Sequence, residues 1–429
     1  MQLNNHDFSI DNLGERRVAS PVKGIDFIDD QERVLYDTDP RKIEDFKCRD
    51  EAPPCFEIAG PRRKIYFDPA GLQCGIVTCG GLCPGINDVI RAIVLSLFYH
   101  YGVKSVIGFR YGFQGLNPEC GQTPMELTPN RVDDIHQKGG TILGTSRGPQ
   151  DVPMMVDTLE QRKISILFAI GGDGTLRGGR AIAEEIARRG LKIAVVAVPK
   201  TIDNDIAFVH QSFGFESAVT QTRPAIYAAH MEALGARNGI GLVKLMGRES
   251  GFIAAYATLA SSDVNFCLVP EVRFTREAFL EALYERLVQK RHAVIVTAEG
   301  AGQDLMTATG RRDASGNIRL GDIGAFLRQA IQEHLNSRGM EHTLKYIDPS
   351  YIIRSVQSNA HDSVFCLLLG HNAVHAGMAG CTNMVVGYWE NEFTHVPISL
   401  AVSLRKKIDP TGRLWNNVLA ATGQPARMY

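Results

Sequence analysis

The chain has 429 residues, more than one hydrophobic core usually organises, so two domains are expected. Its 46 basic and 47 acidic residues give a formal net charge of -1, which argues against binding nucleic acid or an anionic membrane through bulk charge. No stretch approaches the roughly 18 uncharged apolar residues of a membrane span, and the amino terminus has no apolar signal core. We therefore expect a cytoplasmic protein with neither nucleic-acid nor membrane partners.

Nine cysteines are scattered along the chain, mostly in apolar or glycine-rich runs, and no CxxC pair occurs. This pattern indicates reduced thiols rather than a disulfide framework. Cys74, Cys79 and Cys83 are close in sequence, but no paired cysteine or histidine set follows downstream, so we do not expect zinc. Four histidines show no ligand spacing with acidic residues, and we expect them to be structural. They are His292, His361, His371 and His375.

The first 70 residues are rich in Asp, Arg and Pro, and up to about residue 63 they show little periodicity. We interpret them as an extension wrapped over a core. Regular structure then begins with a predicted strand at residues 75–78, a glycine turn and a helix. That helix carries Ile86, Ile90, Ile93 and Leu97 on one face.

The glycine turn contains Gly80, Gly81 and Gly85, between the strand and the start of the helix. Backbone N–H groups can approach a phosphate there without obstruction by a Cβ. A turn used only for chain reversal explains the same pattern, so this motif alone is a weak signal. The turn lacks the Lys-Ser/Thr ending of a P-loop and does not match GxGxxG, which argues against a Walker site or a dinucleotide fingerprint.

Two apolar runs, ending at Ile170 and Val198, have the composition of buried parallel strands, and a helical pattern lies between them. The first run is followed by GGDGT and the second by PKTIDND. Because ligands bind at the carboxyl ends of strands in open α/β sheets, we expect Asp173 and Asp203 to face each other across one cleft. This arrangement predicts a site for phosphoryl transfer.

In GGDGT, Asp173 offers an oxygen ligand suited to Mg²⁺, and Gly174 leaves room for a phosphate chain. We expect Thr175 and Gly178 to open the following helix. An Asp N-cap on a tight turn explains the string without any ligand. The acidic end of the next strand favours the metal site.

In PKTIDND, we expect Asp203 and Asp205 to lie on an extended segment and to point the same way. A carboxylate close to a sugar hydroxyl can accept its proton while a metal and cations neutralise the phosphoryl group. Lys200 and Thr201 supply a charge and a hydroxyl beside them. Asx turns are the structural alternative, which we retain for Asn204 and Asp205.

The second half of the chain again alternates strands and helices and predicts a second α/β lobe. Its expected elements are a helix at 216–234, a strand at 239–247, helices from 251 and from 277, and a strand at 292–300. We expect the chain to return to the first lobe, so that both domains are discontinuous. The predicted domains are an extension at 1–70, a donor-binding lobe at 71–213 with 357–395, and a sugar-phosphate-binding lobe at 214–356 with 396–429.

Several cations suited to phosphate groups stand beside glycine turns or strand ends rather than on helical faces. They are Arg147, Arg248, Lys345 and Arg354. Each alone is more often a surface ion-pair partner, and their shared setting favours a role in binding. Glu299 ends a predicted strand and can accept hydrogen bonds from sugar hydroxyls, although capping of the next turn also explains it.

Together these strings resemble the 6-phosphofructokinase family. The strings TCGGLCPGIN, FRYGFQGL, GTSRG, GGDGT, PKTIDND, LMGRESG, TAEG and KYIDPSYIIRS follow the order of that family from about residue 72 to 358. The resemblance implies two Rossmann-like three-layer lobes, an ATP-dependent and Mg²⁺-assisted transfer to the 1-hydroxyl of fructose 6-phosphate in glycolysis, and an allosteric homodimer or homotetramer. The chain is most similar to the long group that carries PKTIDND.

The resemblance also implies residue roles by position. The phosphoryl donor would contact Gly80, Gly81, Tyr111, Arg147, Gly172, Asp173, Gly174, Thr175 and Gly178, with Asp173 holding Mg²⁺. Asp203 would be the base that activates the sugar 1-hydroxyl, with Lys200, Thr201 and Arg147 completing the catalytic set. The fructose 6-phosphate pocket would contain Thr201, Asp203, Asp205, Met246, Gly247, Arg248, Glu299, Lys345, Tyr351 and Arg354.

Two positions of the family pattern indicate different phosphoryl donors. Gly174 resembles the ATP users, because pyrophosphate users generally carry Asp there and its side chain would intrude on the α-phosphate. Lys200 resembles the pyrophosphate users, since ordinary bacterial ATP enzymes have Gly at that position. Steric exclusion of ATP by an Asp at position 174 discriminates between donors more strongly than a lysine at position 200, which can coexist with a longer donor. We therefore expect ATP, with a pyrophosphate-dependent phosphotransferase as the alternative.

Three positions depart from the ordinary bacterial pattern. Tyr351 and Lys345 stand where a histidine and an arginine are usual, and Gly239 takes the place of an arginine that would contact phosphate in a neighbouring subunit. Arg237 and Lys244 are the candidates to replace that arginine. A non-catalytic regulatory homologue is the alternative from another class, and the acidic and basic residues named above argue against it. NAD kinases and lipid kinases share GGDGT but lack PKTIDND.

Overall fold

The computed structural model describes residues 7–307, 310 and 318–429, which form two compact units. The first unit contains the described chain up to Thr201 together with Ile206–Gly214 and Gln357–Arg405. The second contains Ile202–Asp205, Phe215–Val356 and Lys406–Tyr429. The chain enters the second unit for the last time at Lys406, whereas the sequence analysis placed this boundary at residue 396. The difference arises because the strand Glu392–Pro397 and the helix Ile398–Ala401 belong to the sheet and core of the first unit.

The described residues form seventeen strands. They are β1 (Asp11–Asn12), β2 (Val18–Ala19), β3 (Arg33–Leu35), β4 (Cys55–Ile58), β5 (Lys64–Ile65), β6 (Gln73–Thr78), β7 (Ser105–Phe109), β8 (Met125–Glu126), β9 (Ile166–Gly171), β10 (Ala194–Pro199), β11 (Gly239–Leu245), β12 (Phe266–Leu268), β13 (His292–Ala298), β14 (Thr343–Ile347), β15 (Cys381–Thr382), β16 (Met384–Trp389) and β17 (Glu392–Pro397).

The same residues form twelve α-helices. They are α1 (Pro40–Cys48), α2 (Ile86–Ser96), α3 (Val152–Gln161), α4 (Asp173–Arg188), α5 (Phe215–Leu234), α6 (Phe252–Ser261), α7 (Arg276–Lys290), α8 (Ile323–Ser337), α9 (Ser350–Ser355), α10 (Ala360–Met378), α11 (Ile398–Ala401) and α12 (Arg413–Thr422). Among the described residues, no helix has the length and apolar character needed to cross a membrane.

The first unit is built on a nine-stranded sheet in the order β3-β4-β17-β16-β10-β9-β6-β7-β8. The five central strands, β16 to β7 in that order, are parallel, and the strands at both edges are antiparallel. Every residue of β9 and β10 is buried. Their continuous apolar composition is typical of strands that are covered on both faces, as the sequence predicts.

Helices cover both faces of this sheet. Leu167 and Ala169 of β9 belong to a buried cluster with residues of α3 and α4. Ile166 lies on the other face, where a Cβ added to Gly377 of α10 would approach it to 2.9 Å. Because neighbouring residues of a strand point to opposite faces, these contacts give three layers.

The amino-terminal extension contributes two strands to the same sheet, which the sequence analysis did not predict. β4 pairs with β17, and β3 pairs with β4, both antiparallel. The strands β1 and β2 pair in turn with β15 and β5. These strands have two to four residues, which is too short for a periodic pattern to be recognised.

The second unit has a four-stranded parallel sheet in the order β12-β13-β11-β14. Ile240 and Leu242 of β11 belong to one buried cluster with residues of α7 and α8. On the opposite face, a Cβ added to Gly241 would lie 2.6 Å from the carbonyl oxygen of Ala229 in α5. The unit is therefore a second three-layer α/β structure, which confirms the predicted fold class.

Candidate functional site

The ends of β9 and β10 lie side by side in the first unit. The two strands are parallel, and Gly171 pairs with Pro199 at their carboxyl ends. The Lys200 N–H donates to the Gly171 carbonyl oxygen at 3.0 Å. GGDGT and PKTIDND therefore start at neighbouring strand ends, as predicted. Asp203 belongs to the second unit, and its approach to Asp173 stays a prediction.

Asp173 is the first residue of α4, and Gly172 is the N-cap, in an extended conformation. The helix thus starts before Thr175 and Gly178, two residues that were expected to open it. The alternative of an Asp N-cap at position 173 is also wrong, because the N-cap is Gly172, which has no side chain to accept a hydrogen bond. The Asp173 carboxylate is instead available for other contacts at the positive end of a helix dipole.

Two arginines contact the Asp173 carboxylate. Its Oδ2 lies 3.1 Å from Nε of Arg177 and 3.5 Å from Nη2 of Arg405. Arg177 also donates to the Val402 carbonyl oxygen at 2.9 Å. The sequence analysis missed both arginines. Arg177 stands four residues after Asp173, a helical spacing that would have identified it, whereas Arg405 is 232 residues away and no local pattern signals it.

The two glycines of this turn and helix differ in what surrounds them. A Cβ added to Gly174 would meet no atom of the described chain within 4 Å. A Cβ added to Gly178 would lie 2.6 Å from the ring of Phe113. Packing therefore requires glycine at 178 but not at 174. The space beside Gly174 is consistent with room for a bound donor.

The glycine turn after β6 is tied to the GTSRG segment and to Lys200. Gly80 has φ +85° and donates its N–H to the Ser146 carbonyl oxygen at 3.1 Å. The Lys200 ammonium, which is buried, donates to the Gly81 carbonyl oxygen at 2.6 Å. Gly85, by contrast, is the N-cap of α2 with φ +94°, and a Cβ there would lie 2.6 Å from Sγ of Cys366. Gly85 is therefore required by backbone conformation and packing.

Tyr111 and Arg147 join the same group through Ser146. The Ser146 hydroxyl donates to the Tyr111 carbonyl oxygen at 2.6 Å. Arg147 is exposed and makes no ion pair with any residue in the described part of the chain. One hydrogen-bonded set thus links Gly80, Gly81, Tyr111 and Lys200 next to the end of β9, with Arg147 at its edge. It brings together much of the predicted donor site.

A turn at Ile202 and Asp203 follows Thr201, so the expectation that Asp203 and Asp205 lie on an extended segment is wrong. Asn204 has φ +52°, a left-handed conformation that Asn tolerates better than most residues, and it interrupts the extended path. Alternation therefore says nothing about where the Asp203 and Asp205 side chains point. Asn204 and Asp205 are buried.

Lys406 is a further residue that sequence reasoning missed. Its N–H donates to the Asp205 carbonyl oxygen at 2.9 Å, and its own carbonyl oxygen accepts from the Ser250 hydroxyl at 2.6 Å. Burial lowers the pKa of Lys406 to about 7, against the opposing effect of the Asp205 charge. The run of basic residues around it resembles a solvated surface, and only the fold shows that Lys406 is partly buried.

A second set of predicted residues lies at the ends of β11 and β13 in the second unit. Leu245 pairs with Ala298, and the Gly300 N–H donates to the Gly247 carbonyl oxygen at 3.0 Å. Gly247 has φ +122° and no room for a Cβ, which would lie 2.7 Å from the Ser250 carbonyl oxygen. Met246, Gly247 and Arg248 are therefore brought beside Glu299, as the sequence predicts.

The carboxyl group of Glu299 has a pKa above its ordinary value. Burial raises the pKa of its carboxyl group, and the nearby charges of Arg248, Lys244 and Arg354 oppose that effect. The Arg248 guanidinium also donates to the Ile318 carbonyl oxygen. A partly buried carboxylate with several cations around it is suited to accept hydrogen bonds from hydroxyl groups of a polar ligand.

The raised pKa of Glu299 predicts a pH dependence of stability. The folded state keeps a proton on Glu299 at pH values where the unfolded chain, with a pKa near 4.5, has released it. The stabilisation is present in full below that value and is lost as pH rises through the folded pKa. We expect Glu299→Gln to gain stability relative to wild type over this window, measured by urea unfolding between pH 4 and 7. Glu277→Gln, which changes an exposed glutamate, is the control, and parallel curves for Glu299→Gln and wild type would contradict the prediction.

Tyr351 and Arg354 lie on α9, which follows the next strand of the same sheet. The Arg354 guanidinium stands 4.7 Å from the centroid of the Tyr351 ring, an arrangement that supports a cation–π contact. Tyr351 is 76% exposed, so its hydroxyl is accessible. The charge of Arg354 is one of those that oppose the raised pKa of Glu299.

Lys345 is not brought to these strand ends within the unit. It pairs with Gly241 across β14 and β11, four residues before Leu245 and so about 13 Å along the strand. Its ammonium is exposed and lies 3.6 Å from Oε2 of Glu232. A role for Lys345 in the sugar-phosphate pocket of its own unit has no support from this position.

Arg237 and Lys244, the two candidates to replace the arginine that is absent at position 239, both form ion pairs within their own unit. Gly239 leaves no room for any side chain, because a Cβ there would lie 2.1 Å from the Ala233 carbonyl oxygen. Arg237 pairs with Glu341 at 3.0 Å in an exposed contact. Lys244 is largely buried between two carboxylates of its own unit, which argues against a role in a neighbouring subunit.

The predicted Mg²⁺ would have few ligands from this chain. Within the described residues, no group of three or more His, Cys, Asp or Glu side chains could hold a metal ion. Mg²⁺ in phosphoryl-transfer sites is usually bound by one or two carboxylates together with substrate phosphates. The single Asp173 carboxylate, 26% exposed at a strand end, fits an ion that arrives with its phosphate ligand.

Comparison with known proteins gives a consistent result. The family model described as Phosphofructokinase matches residues 73–377, more than half of the chain. An ATP-dependent 6-phosphofructokinase of Borreliella burgdorferi is 50% identical over 99% of this chain and 98% of its own length. One from Amycolatopsis methanolica is 49% identical over 99% of this chain and 96% of its own length.

Among solved structures, a pyrophosphate-dependent phosphofructokinase from Marinobacter aquaeolei is similar in fold. It covers 82% of this chain and 92% of its own, with a TM-score of 0.68 and 19% sequence identity. At that identity the likeness concerns the fold alone. The fold, the sequence relatives and the strand-end geometry agree with one another.

Proposed function

This chain belongs to the phosphofructokinase family, and we propose that it transfers the γ-phosphoryl group of ATP to the 1-hydroxyl of fructose 6-phosphate. The products are fructose 1,6-bisphosphate and ADP. The protein is an enzyme, a phosphotransferase of glycolysis with an alcohol as acceptor. The names of the curated relatives confirm the choice of ATP over pyrophosphate.

The observation that carries the proposal is the pairing of Gly171 with Pro199, which sets GGDGT beside Lys200 and Thr201. In the donor site we assign the phosphate chain to the glycine turn at Gly80 and Gly81 and to the start of α4. Backbone N–H groups and the helix dipole favour negative charge there. Tyr111 and Arg147 border the site, and Arg147 stabilises charge on the transferred group.

Asp203 is assigned the role of the base. It takes the proton of the sugar 1-hydroxyl as that oxygen attacks the γ-phosphorus, and the ADP oxygen leaves on the opposite side. Thr201 and Lys200 act beside it. Lys200 also fixes the glycine turn through its hydrogen bond to Gly81. The strand ends of the second unit, with Arg248, Glu299, Tyr351 and Arg354, bind the sugar phosphate.

We assign Mg²⁺ to Asp173, with the remaining ligands supplied by the phosphates of ATP and by water. When bound, the ion neutralises charge on the phosphate chain. Arg177 and Arg405 contact the same carboxylate and hold its orientation. Formation of a homodimer or homotetramer, allosteric control and a cytoplasmic location stay predictions.

The test is an assay of the purified protein with fructose 6-phosphate and each donor. We expect ATP with Mg²⁺ to support turnover and pyrophosphate to give at most a small fraction of that rate, measured as formation of fructose 1,6-bisphosphate. Chelation of Mg²⁺ should abolish the ATP reaction. Turnover with pyrophosphate alone would contradict the assignment, and absence of turnover with either donor would favour the regulatory homologue.

A further inference from the structure

One partly buried ammonium group joins three elements of the second unit. Lys244 lies on β11, two residues before Met246, and its side chain is 15% exposed. Its Nζ is 2.9 Å from Oδ2 of Asp348 and 3.2 Å from Oδ1 of Asp322. Two carboxylates therefore share one lysine beside the region that we assign to the sugar phosphate.

Each of these carboxylates accepts hydrogen bonds at the start of a helix. Asp348 accepts hydrogen bonds from the Ser350 N–H at 3.1 Å and from the Ser350 hydroxyl at 2.5 Å, at the start of α9. Asp322 is the N-cap of α8, and its Oδ1 accepts from the N–H groups of Gly324 and Ala325. Lys244 thus connects the starts of α8 and α9 to the strand that leads into Met246.

The electrostatics of the group depend on the lysine. Burial alone would lower the pKa of Lys244, but hydrogen bonds and charge from Asp348 and Asp322 raise it. Burial would likewise raise the pKa of Asp348, and hydrogen bonds from Ser350 and Lys244 hold it below its ordinary value. Removing the ammonium would leave two carboxylates, with side chains 54% exposed at Asp322 and 35% exposed at Asp348, without the cation that links them. The starts of α8 and α9 would then lose their common contact with β11.

We propose that Lys244 is a positioning residue for the sugar-phosphate pocket, an inference that rests on the proposed function. Through Asp348 it sets the start of α9 and so the places of Tyr351 and Arg354 relative to Arg248. Its charge also favours the ionised form of Glu299. Lys244 touches neither substrate in this assignment, and it acts only through the residues that do.

The test compares Lys244→Met with wild type. We expect the KM for fructose 6-phosphate to rise roughly 10- to 100-fold, because small misplacements of binding groups have effects of this size. The KM for ATP should stay within about twofold, since the contacts of Lys244 lie in the second unit. Direct titration with fructose 6-phosphate, measured by calorimetry without ATP, should show the same loss of affinity.

A second readout separates positioning from a general loss of structure. Without the Lys244 charge the pKa of Glu299 should be higher, so the pH below which fructose 6-phosphate affinity declines should move upward. Lys244→Arg keeps the charge and should restore most of the affinity. Arg338→Met, which removes an exposed ion pair with Glu281 in the same unit, is the matched control and should behave as wild type.

Clear results would overturn the inference. It fails if Lys244→Met binds fructose 6-phosphate as wild type does, or if the affinities for ATP and the sugar phosphate fall equally. If Lys244→Met does not fold, Asp348→Asn removes the charge of the same ion pair at nearly constant volume and should show a selective, smaller rise in the KM for fructose 6-phosphate. Wild-type protein that does not phosphorylate fructose 6-phosphate with ATP would instead refute the proposed function, which the same assay distinguishes.

Discussion

Asp203→Ala is expected to lower kcat by about 10² to 10⁴-fold, the usual contribution of a general base. The variant lacks the carboxylate that accepts the 1-hydroxyl proton, while the groups that we assign to the phosphate of the sugar remain. The KM for fructose 6-phosphate should therefore change only a few-fold. Steady-state rates with ATP and Mg²⁺, together with calorimetric titration of the sugar phosphate, measure the two effects.

Asp205→Asn provides a matched comparison, because Asp205 is an acid two residues away in the same segment. As a binding residue it should affect mainly the KM for fructose 6-phosphate rather than kcat. The two variants are expected to show opposite kinetic signatures. If Asp203→Ala retains wild-type turnover, or if both variants change the same parameter, Asp203 is not the base.

Gly174→Asp is expected to reduce kcat/KM for ATP by about 10² to 10³-fold. The space beside Gly174 is open, so the carboxylate would occupy volume that we assign to the donor and would repel its phosphates. Like charges placed together in a binding site cost several kcal/mol, and each 1.4 kcal/mol is a factor of ten. Thermal unfolding should be little changed, since a Cβ at 174 meets no described atom within 4 Å.

Gly174→Ala is the control for this prediction. It adds a methyl group without charge and should lower kcat/KM for ATP far less than Asp does. Pyrophosphate should be tested with both variants, because a shorter donor would leave the α-phosphate region empty. An ATP-dependent kcat/KM that stays within threefold of wild type in Gly174→Asp would show that the position does not line the donor site.

The sequence determined the strands that matter most for the site. β9 and β10 are continuous apolar runs, each followed by a polar string, a pattern typical of buried parallel strands. The structure has both strands within one or two residues of the prediction. The same holds for the ends of β11 and β13, where glycine and charge follow an apolar run. Short-range pattern is sufficient in these places because a strand that is covered on both faces has to be apolar along its whole length.

The tertiary structure alone decided which distant residues join them. Arg405 reaches Asp173 across 232 residues, and Lys244 meets Asp322 and Asp348 only because β11 and β14 are neighbours in the sheet. Local pattern also failed to predict the path of residues 202–205, where a turn at Ile202 and Asp203 and the positive φ of Asn204 end the extended path after β10. Periodicity encodes which face of an element is buried, but contacts between elements depend on strand order and register, which no local pattern contains.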